Sequence, residues 1–87
     1  MANIVGDPND NILNGTPEAD QIFGLGGDDL LNGLQGNDTL NGNEGNDSVL
    51  GSENDDIVRG GQGNDSLVGD RGNDIIIVLL MQRENNE

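Results

Sequence analysis

The sequence lacks the residue types on which most catalytic sites depend. Its 87 residues include no cysteine and no histidine. Without cysteine the chain can form neither a disulfide bond nor a thiolate metal site, and without histidine it lacks the commonest general base. No nucleophile–base pair can be built from the remaining residues, so we expect a protein that is not an enzyme.

Positive charge is also scarce. Three lysine and arginine residues stand against 17 aspartate and glutamate residues, which gives a net charge of −14. A nucleic-acid partner is therefore not expected, because neutralising phosphates requires lysine and arginine. The only aromatic residue is Phe23, and acidic chains that are poor in aromatic residues are often disordered. A folded state must be indicated by some other regularity of the sequence.

Long apolar segments are missing as well. The longest apolar run covers residues 75–81, and seven residues are too few to span a bilayer. The first eight residues, MANIVGDP, contain neither a basic segment nor an apolar core. No cleavable N-terminal signal peptide is therefore predicted.

What the sequence does contain is a nine-residue repeat over residues 6–77. Glycine occupies every ninth position from Gly6 to Gly69. The sixth position is asparagine in the first copy, Asn11, and aspartate in the other seven: Asp20, Asp29, Asp38, Asp47, Asp56, Asp65 and Asp74. The eighth position is always aliphatic: Leu13, Ile22, Leu31, Leu40, Val49, Val58, Leu67 and Ile76. We divide the chain into an N-terminal strand at 1–5, eight nonapeptides at 6–77 and a C-terminal segment at 78–87.

The aliphatic eighth position lies between two variable residues, which is the pattern of a three-residue strand with one side chain facing inward. Such a short strand must stack on copies of itself, and two nonapeptides complete one coil. Alternate repeats then build two opposed parallel sheets in an all-β solenoid of about four to five coils. The first sheet is predicted at 12–14, 30–32, 48–50 and 66–68, and the second at 3–5, 21–23, 39–41, 57–59 and 75–77.

Two glycine positions indicate tight turns between the strands. The first and fourth positions of the repeat suit a backbone with positive φ or a close backbone approach. The fourth position is glycine in five copies and departs at Asn9, Glu18 and Asn54. Because glutamate adopts the left-handed region poorly, the turn that contains Glu18 is expected to be irregular. The fifth position, which includes Asp28 and Asp55, is interpreted as a variable slot.

Stacking places the repeat aspartates in two columns, one on each side of the solenoid. These columns are Asp20, Asp38, Asp56 and Asp74 on one side, and Asp29, Asp47 and Asp65 on the other. Carboxylates about 5 Å apart repel each other unless a cation lies between them. A hard divalent cation would neutralise the columns, and calcium is favoured because it accepts six to eight oxygens in flexible geometry.

The segments GLQGNDTLN, GNEGNDSVL, GGQGNDSLV and GDRGNDIII resemble the repeats-in-toxin (RTX) calcium-binding nonapeptide, G-G-x-G-x-D-x-U-x. The resemblance covers about four-fifths of the chain. It implies a right-handed parallel β-roll that holds Ca²⁺ between turns on the same side. Eight turns, each paired with the next turn on the same side, give at most about six ions. The implied carboxylate ligands are the seven repeat aspartates. The implied carbonyl ligands belong to Gly24, Gly26, Gly33, Gln35, Gly42, Glu44, Gly51, Glu53, Gly60 and Gln62.

Two departures from the family pattern carry expectations. The family's second glycine is matched only by Gly61, and we expect other residues to be tolerated there because a carbonyl ligand needs no particular side chain. The site between the turns of Asn11 and Asp29 is expected to be the weakest, since Asn11 is neutral. Five or six calcium ions would bring about +10 to +12 against −14, so folding is expected to accompany metal binding.

The two ends of the repeat leave a choice open. Residues 78–81 continue the apolar character of the last strand, and they could fold back as a cap. Alternatively they could form an end on which the first strand of a second molecule stacks, and such head-to-tail addition makes fibres. The residues assigned to this cap or assembly role are Ile4, Ile75, Ile77, Val78, Leu79, Leu80 and Met81.

The sequence thus predicts a calcium-binding structural protein that folds on meeting calcium outside the cell and assembles end to end into a fibre or matrix. The alternative is a monomeric secreted calcium-binding module that acts as a buffer, or as a folding or export accessory to a larger partner. An ice-binding solenoid would need a threonine ladder on a flat face, and the third position of the repeat contains no threonine.

Overall fold

The computed structural model of the protein describes residues 2–78, and every regular element in them is a β-strand. The strands are β1 (Ala2–Val5), β2 (Ile12–Asn14), β3 (Asp20–Phe23), β4 (Leu30–Asn32), β5 (Thr39–Asn41), β6 (Ser48–Leu50), β7 (Ile57–Arg59), β8 (Ser66–Val68) and β9 (Ile75–Ile77). The strand positions predicted from the repeat are confirmed, although β1 and β3 each begin one residue earlier than expected. Within the described range no helix is long and apolar enough to cross a membrane.

All neighbouring strands pair in parallel within two sheets. Their orders are β1-β3-β5-β7-β9 and β2-β4-β6-β8. Each strand pairs with the next-but-one strand at an offset of 18 residues, as Ile4 does with Ile22 and Leu13 with Leu31. One coil therefore contains two nonapeptides, and the chain is a β-solenoid of about four coils, as predicted. The short strands persist because each inner strand is hydrogen-bonded on both sides.

The hydrophobic core is a stack of single aliphatic side chains from the eighth repeat position. Five of them are fully buried: Ile22, Leu31, Leu40, Val49 and Val58. Leu13 and Leu67 are only partly buried, and Ile76 on β9 is 46% exposed. The eight inward-facing residues are therefore not equally buried. Side chains near the ends of the stack have a neighbouring coil on one side only, so less of their surface is covered.

The backbone is left-handed at two positions in each of the six later turns. One is the fourth position, where φ is positive at Gly27, Gly36, Gly45, Asn54, Gly63 and Gly72. The other is the second position, where φ is positive at Leu25, Leu34, Asn43, Ser52, Gly61 and Asp70. Residues other than glycine are therefore accommodated at the second position, but at a cost in backbone conformation. A carbonyl ligand accepts any side chain, but a side chain with a Cβ in left-handed backbone costs about 1–2 kcal/mol.

The turn that contains Glu18 is well formed, but it is built differently from the later turns. Neither Glu18 nor Asn9 has a positive φ. Pro8 and Pro17 occupy the third position of the first two turns, and a residue that precedes proline is restricted to extended backbone. The first two turns therefore avoid the left-handed conformation that glutamate would adopt poorly.

Candidate metal centre

The repeat aspartates form two hydrogen-bonded ladders along the sides of the solenoid. The Oδ1 of each accepts the backbone N–H of the residue one coil earlier, at 2.7–3.0 Å. Asp20 N–H, for example, donates to Asp38, and Asp38 N–H donates to Asp56. This linkage confirms the two predicted columns. It also accounts for one carboxylate oxygen of every repeat aspartate.

The second oxygen of the inner aspartates has no protein partner. Oδ2 of Asp29, Asp38, Asp47 and Asp56 is buried and accepts no hydrogen bond. These side chains are 1–3% exposed, so water has little access to them. A buried acceptor without a partner costs about 1–3 kcal/mol, and more when it is charged. The inner columns therefore require a cation, or protonation, to be stable.

The invariant first glycine of the repeat makes room for this oxygen. A Cβ on Gly24 would lie 2.6 Å from Asp29 Oδ2 and 2.9 Å from the carbonyl oxygen of Gly42, one coil further on. A Cβ on Gly33 would meet Asp38 Oδ2 and the next coil's carbonyl oxygen at the same two distances. The first glycine is thus required for close approach and not for positive φ. Beside this glycine, the Oδ2 of its own turn's aspartate and the first-position carbonyl oxygen of the next coil lie close together.

The predicted carbonyl ligands divide into two groups. At the first position, four of these carbonyls lie beside the glycine of the preceding coil, close to the side-chain oxygen of that turn's sixth residue: those of Gly24, Gly33, Gly42 and Gly51. At the third position, the carbonyls of Gly26, Gln35, Glu44, Glu53 and Gln62 stay predicted ligands. The turn-to-turn hydrogen bonds among residues 2–78 use the second-position carbonyls, as in Glu44 N–H to Leu25 O at 3.0 Å.

Electrostatics in the columns also favour a cation. The pKa of Asp38 is raised to about 6, mainly by burial and also by the neighbouring charges of Asp56 and Asp20, against the lowering effect of the hydrogen bond from the Asp20 amide. Burial likewise raises the pKa of Asp47 and Asp56 to about 6. Asp20 is different, because the hydrogen bond from the Thr16 amide lowers its pKa. A positive charge beside the inner carboxylates would keep them ionised at neutral pH.

Calcium fits this donor set. Within residues 2–78 no group of three or more acidic side chains converges on one point, so carboxylates alone could not enclose an ion. The oxygens that do converge are carboxylate and carbonyl oxygens, which are hard ligands of the kind calcium takes. Asp29, Asp38, Asp47 and Asp56, together with first-position carbonyls, are the residues best placed to hold it.

The sequence profile of the RTX calcium-binding nonapeptide repeat, which spans four copies, matches residues 5–40 and again residues 41–76. The chain belongs to this family. RTX repeats are structural calcium-binding units and are not catalytic, and they are typical of secreted proteins. No curated protein and no solved structure gives a significant match. This RTX chain is therefore a calcium-binding repeat module.

A second ladder, which was not predicted from the sequence, runs along the fifth repeat position. Asp28 N–H donates to Asp10 Oδ1 at 2.7 Å, and Asn46 N–H donates to Asp28 Oδ1 at 2.8 Å. On the other side of the solenoid, Asp55 N–H donates to Asn37 Oδ1 at 3.0 Å, and Asn73 N–H donates to Asp55 Oδ1 at 2.8 Å. The interpretation of this position as a variable slot is wrong. The signal was present, because asparagine or aspartate occupies the fifth position in seven of eight copies.

Proposed function

We propose that this RTX chain is a calcium-dependent structural module that folds on binding Ca²⁺ outside the cell. The observation that supports this most directly is the set of four buried aspartate oxygens without a partner. A chain with a net charge of −14 is self-repelling, and its columns concentrate that repulsion. Folding and calcium binding are therefore coupled, as in other modules whose site does not exist in the unfolded chain.

Two kinds of residue would hold the ion, the repeat aspartates and the first-position glycines. The repeat aspartates Asp29, Asp38, Asp47, Asp56, Asp65 and Asp74 offer Oδ2, while Oδ1 stays in the ladder. First-position glycines leave space and offer carbonyl oxygens. Calcium, when bound, supplies the positive charge that the columns lack, since the described residues contain only two cationic side chains, Arg59 and Arg71.

We further propose that the module is not an enzyme and acts where calcium is abundant. Extracellular calcium modules commonly bind in the range of about 10⁻⁴–10⁻³ M. A module of this affinity would be unfolded in the cytosol and would fold after export. Location outside the cell is consistent with the secreted proteins in which RTX repeats typically occur.

End-to-end assembly is the proposed use of the folded module. β1 and β9 are the outermost strands of their sheet, each with one partner among the described strands. At the β9 end Ile75, Ile76 and Val78 are 57%, 46% and 61% exposed. Such apolar surface beside an unpaired strand edge favours addition of another chain. Leu79, Leu80 and Met81, which were assigned to the same role, lie outside the described residues.

Electron microscopy of the purified chain in millimolar calcium and in excess chelator tests both the end-to-end assembly and its dependence on calcium. We expect filaments with an axial repeat near 24 Å, from five coils at about 4.8 Å each, and no filaments in chelator. A folded particle of fixed monomer mass in calcium would instead favour the monomeric buffer or accessory. Circular dichroism that is unchanged by calcium would contradict calcium-coupled folding.

A further inference from the structure

The second turn of the first coil, residues 15–20, is closed by its own side chains. The Thr16 amide donates to Asp20 Oδ2 at 2.7 Å, and the Thr16 hydroxyl donates to Asp20 Oδ1 at 2.9 Å. The Glu18 amide in turn donates to Thr16 Oγ1 at 3.1 Å. Oδ1 also accepts the Ala2 amide at 3.0 Å. Both carboxylate oxygens of Asp20 therefore have protein partners.

The first turn, residues 6–11, is closed in a comparable way. The Asp7 amide donates to Asn11 Oδ1 at 2.9 Å, and the Asn9 amide donates to Asp7 Oδ1 at 2.9 Å. Asn11 is neutral, so it brings no charge for a cation to balance. The oxygen that would face the ion is already accepting a hydrogen bond from the turn itself.

The later turns contrast with these two at the same positions. Asp38 lies in the same column as Asp20 and is equally buried, yet its Oδ2 has no partner. The space beside the first glycine is alike in both turns, since a Cβ on Gly15 would lie 2.8 Å from Asp20 Oδ2 and 2.7 Å from the next coil's carbonyl oxygen. The difference is that in the first coil Asp20 Oδ2 already accepts a hydrogen bond from the Thr16 amide.

Backbone conformation explains why only the first coil closes itself. Pro17 holds Thr16 in extended backbone, and there the Thr16 amide and hydroxyl both reach the carboxylate. In the fourth turn Leu34 occupies the position of Thr16, has a φ of +66° and carries no hydroxyl. Its amide donates instead to Asn32 Oδ1 at 3.3 Å, which leaves Asp38 Oδ2 unpartnered.

We propose that the first coil takes no calcium and that Thr16 and Asp7 satisfy the sixth-position side chains of its turns in place of an ion. This inference rests on the proposed calcium binding by the later turns. Six pairs of turns lie one coil apart on the same side, and two of those pairs include a turn of the first coil. The chain then holds at most four ions, with sites that begin at the turn of Gly24. Asp20 thereby becomes a structural residue, contrary to its assignment as a ligand.

The test is the number of calcium ions bound by the full-length chain, measured by equilibrium dialysis. We expect four or fewer for the unchanged protein. Asp20→Asn and Asp38→Asn form a matched pair, because the two aspartates share a column, a depth of burial and an Oδ1 hydrogen bond. Asp20→Asn should leave the count unchanged, whereas Asp38→Asn should lower it by at least one.

Each outcome decides the matter. Loss of an ion from a folded Asp20→Asn variant would overturn the inference. Should that variant fail to fold in saturating calcium by circular dichroism, the unchanged protein decides alone, and a count of five or six overturns the inference. A count of zero would overturn the proposed calcium function itself, so the two failures are distinguishable.

Discussion

A methyl group added at Gly24 should destabilise the solenoid, whereas one added at Gly26, in the same turn, should not. The Cβ introduced by Gly24→Ala would lie 2.6 Å from Asp29 Oδ2 and 2.9 Å from the carbonyl oxygen of Gly42. With Gly26→Ala, the nearest atom would be Pro8 Cα at 3.3 Å. Neither glycine has a positive φ, so the pair isolates close approach from backbone strain.

Two contributions determine the size of the effect at Gly24. Overpacking of this kind typically costs about 1–3 kcal/mol. Displacing the Asp29 carboxylate would also break the hydrogen bond that its Oδ1 accepts from the Asn11 amide, which contributes about 1 kcal/mol. We therefore expect Gly24→Ala to lower the free energy of unfolding by about 2–4 kcal/mol. Gly26→Ala should change it by less than about 1 kcal/mol, because losing a glycine mainly restricts the unfolded chain.

Urea unfolding in saturating calcium, followed by far-ultraviolet circular dichroism, measures both variants. The slopes of the transitions should agree, so that the midpoints report stability. A separate calcium titration should give a higher midpoint for Gly24→Ala, because the displaced oxygen is a proposed ligand. Equal unfolding free energies for the two variants would refute the reasoning that the first glycine exists to admit the carboxylate.

Three further outcomes follow from the same geometry. Asp47→Ala should raise the calcium midpoint for folding, because Asp47 is a proposed ligand of two neighbouring sites. Asp70→Ala, at an exposed turn position, should not raise it, and equal midpoints would contradict the ligand assignment. In chelator the chain should be more structured at pH 4.5 than at pH 7.5. The pKa of three inner aspartates is raised to about 6 in the folded state, so the folded state binds more protons than the unfolded state below that pH. The stability gained in this way is lost as the pH rises through about 6. Circular dichroism spectra that do not change between these pH values would count against it. Leu40→Ala should cost about 2–5 kcal/mol in urea unfolding, and a comparable loss for the 71% exposed Ile12 would show that burial is not the cause.

Much of the fold could be predicted because the repeat is strictly periodic. With glycine, aspartate and an aliphatic residue recurring every nine residues, a strand of three residues leaves only a few ways to bury its one apolar side chain. Pairing at an offset of 18 residues then follows, since the strand of Ile22 stacks on the equivalent strands of the neighbouring coils, where Ile22 pairs with Ile4 and Leu40. The columns of Asp29 and Asp38 come from the same register.

Side-chain hydrogen bonds in the turns could not be predicted in this way. Thr16 and Leu25 occupy the same repeat position, and only the backbone conformation of each turn decides which of them reaches an aspartate. The prevalence of asparagine and aspartate at the fifth position is visible in the sequence. The hydrogen bond from the Asp28 amide to Asp10, which explains it, is visible only in the structure, where the two residues lie one coil apart.

The sequence by itself therefore determined the solenoid, the register of its coils and the identity of the acidic columns, because these depend on a period that any reading of the chain reveals. Only the tertiary structure decided which aspartate oxygens lack a partner, since that depends on neighbours 18 residues away and on the φ angles of the turns. It distinguished Asp20, with both oxygens satisfied, from Asp38, with one oxygen buried and free. Identical residues at identical repeat positions thus differ in their hydrogen bonding, because their turns fold differently.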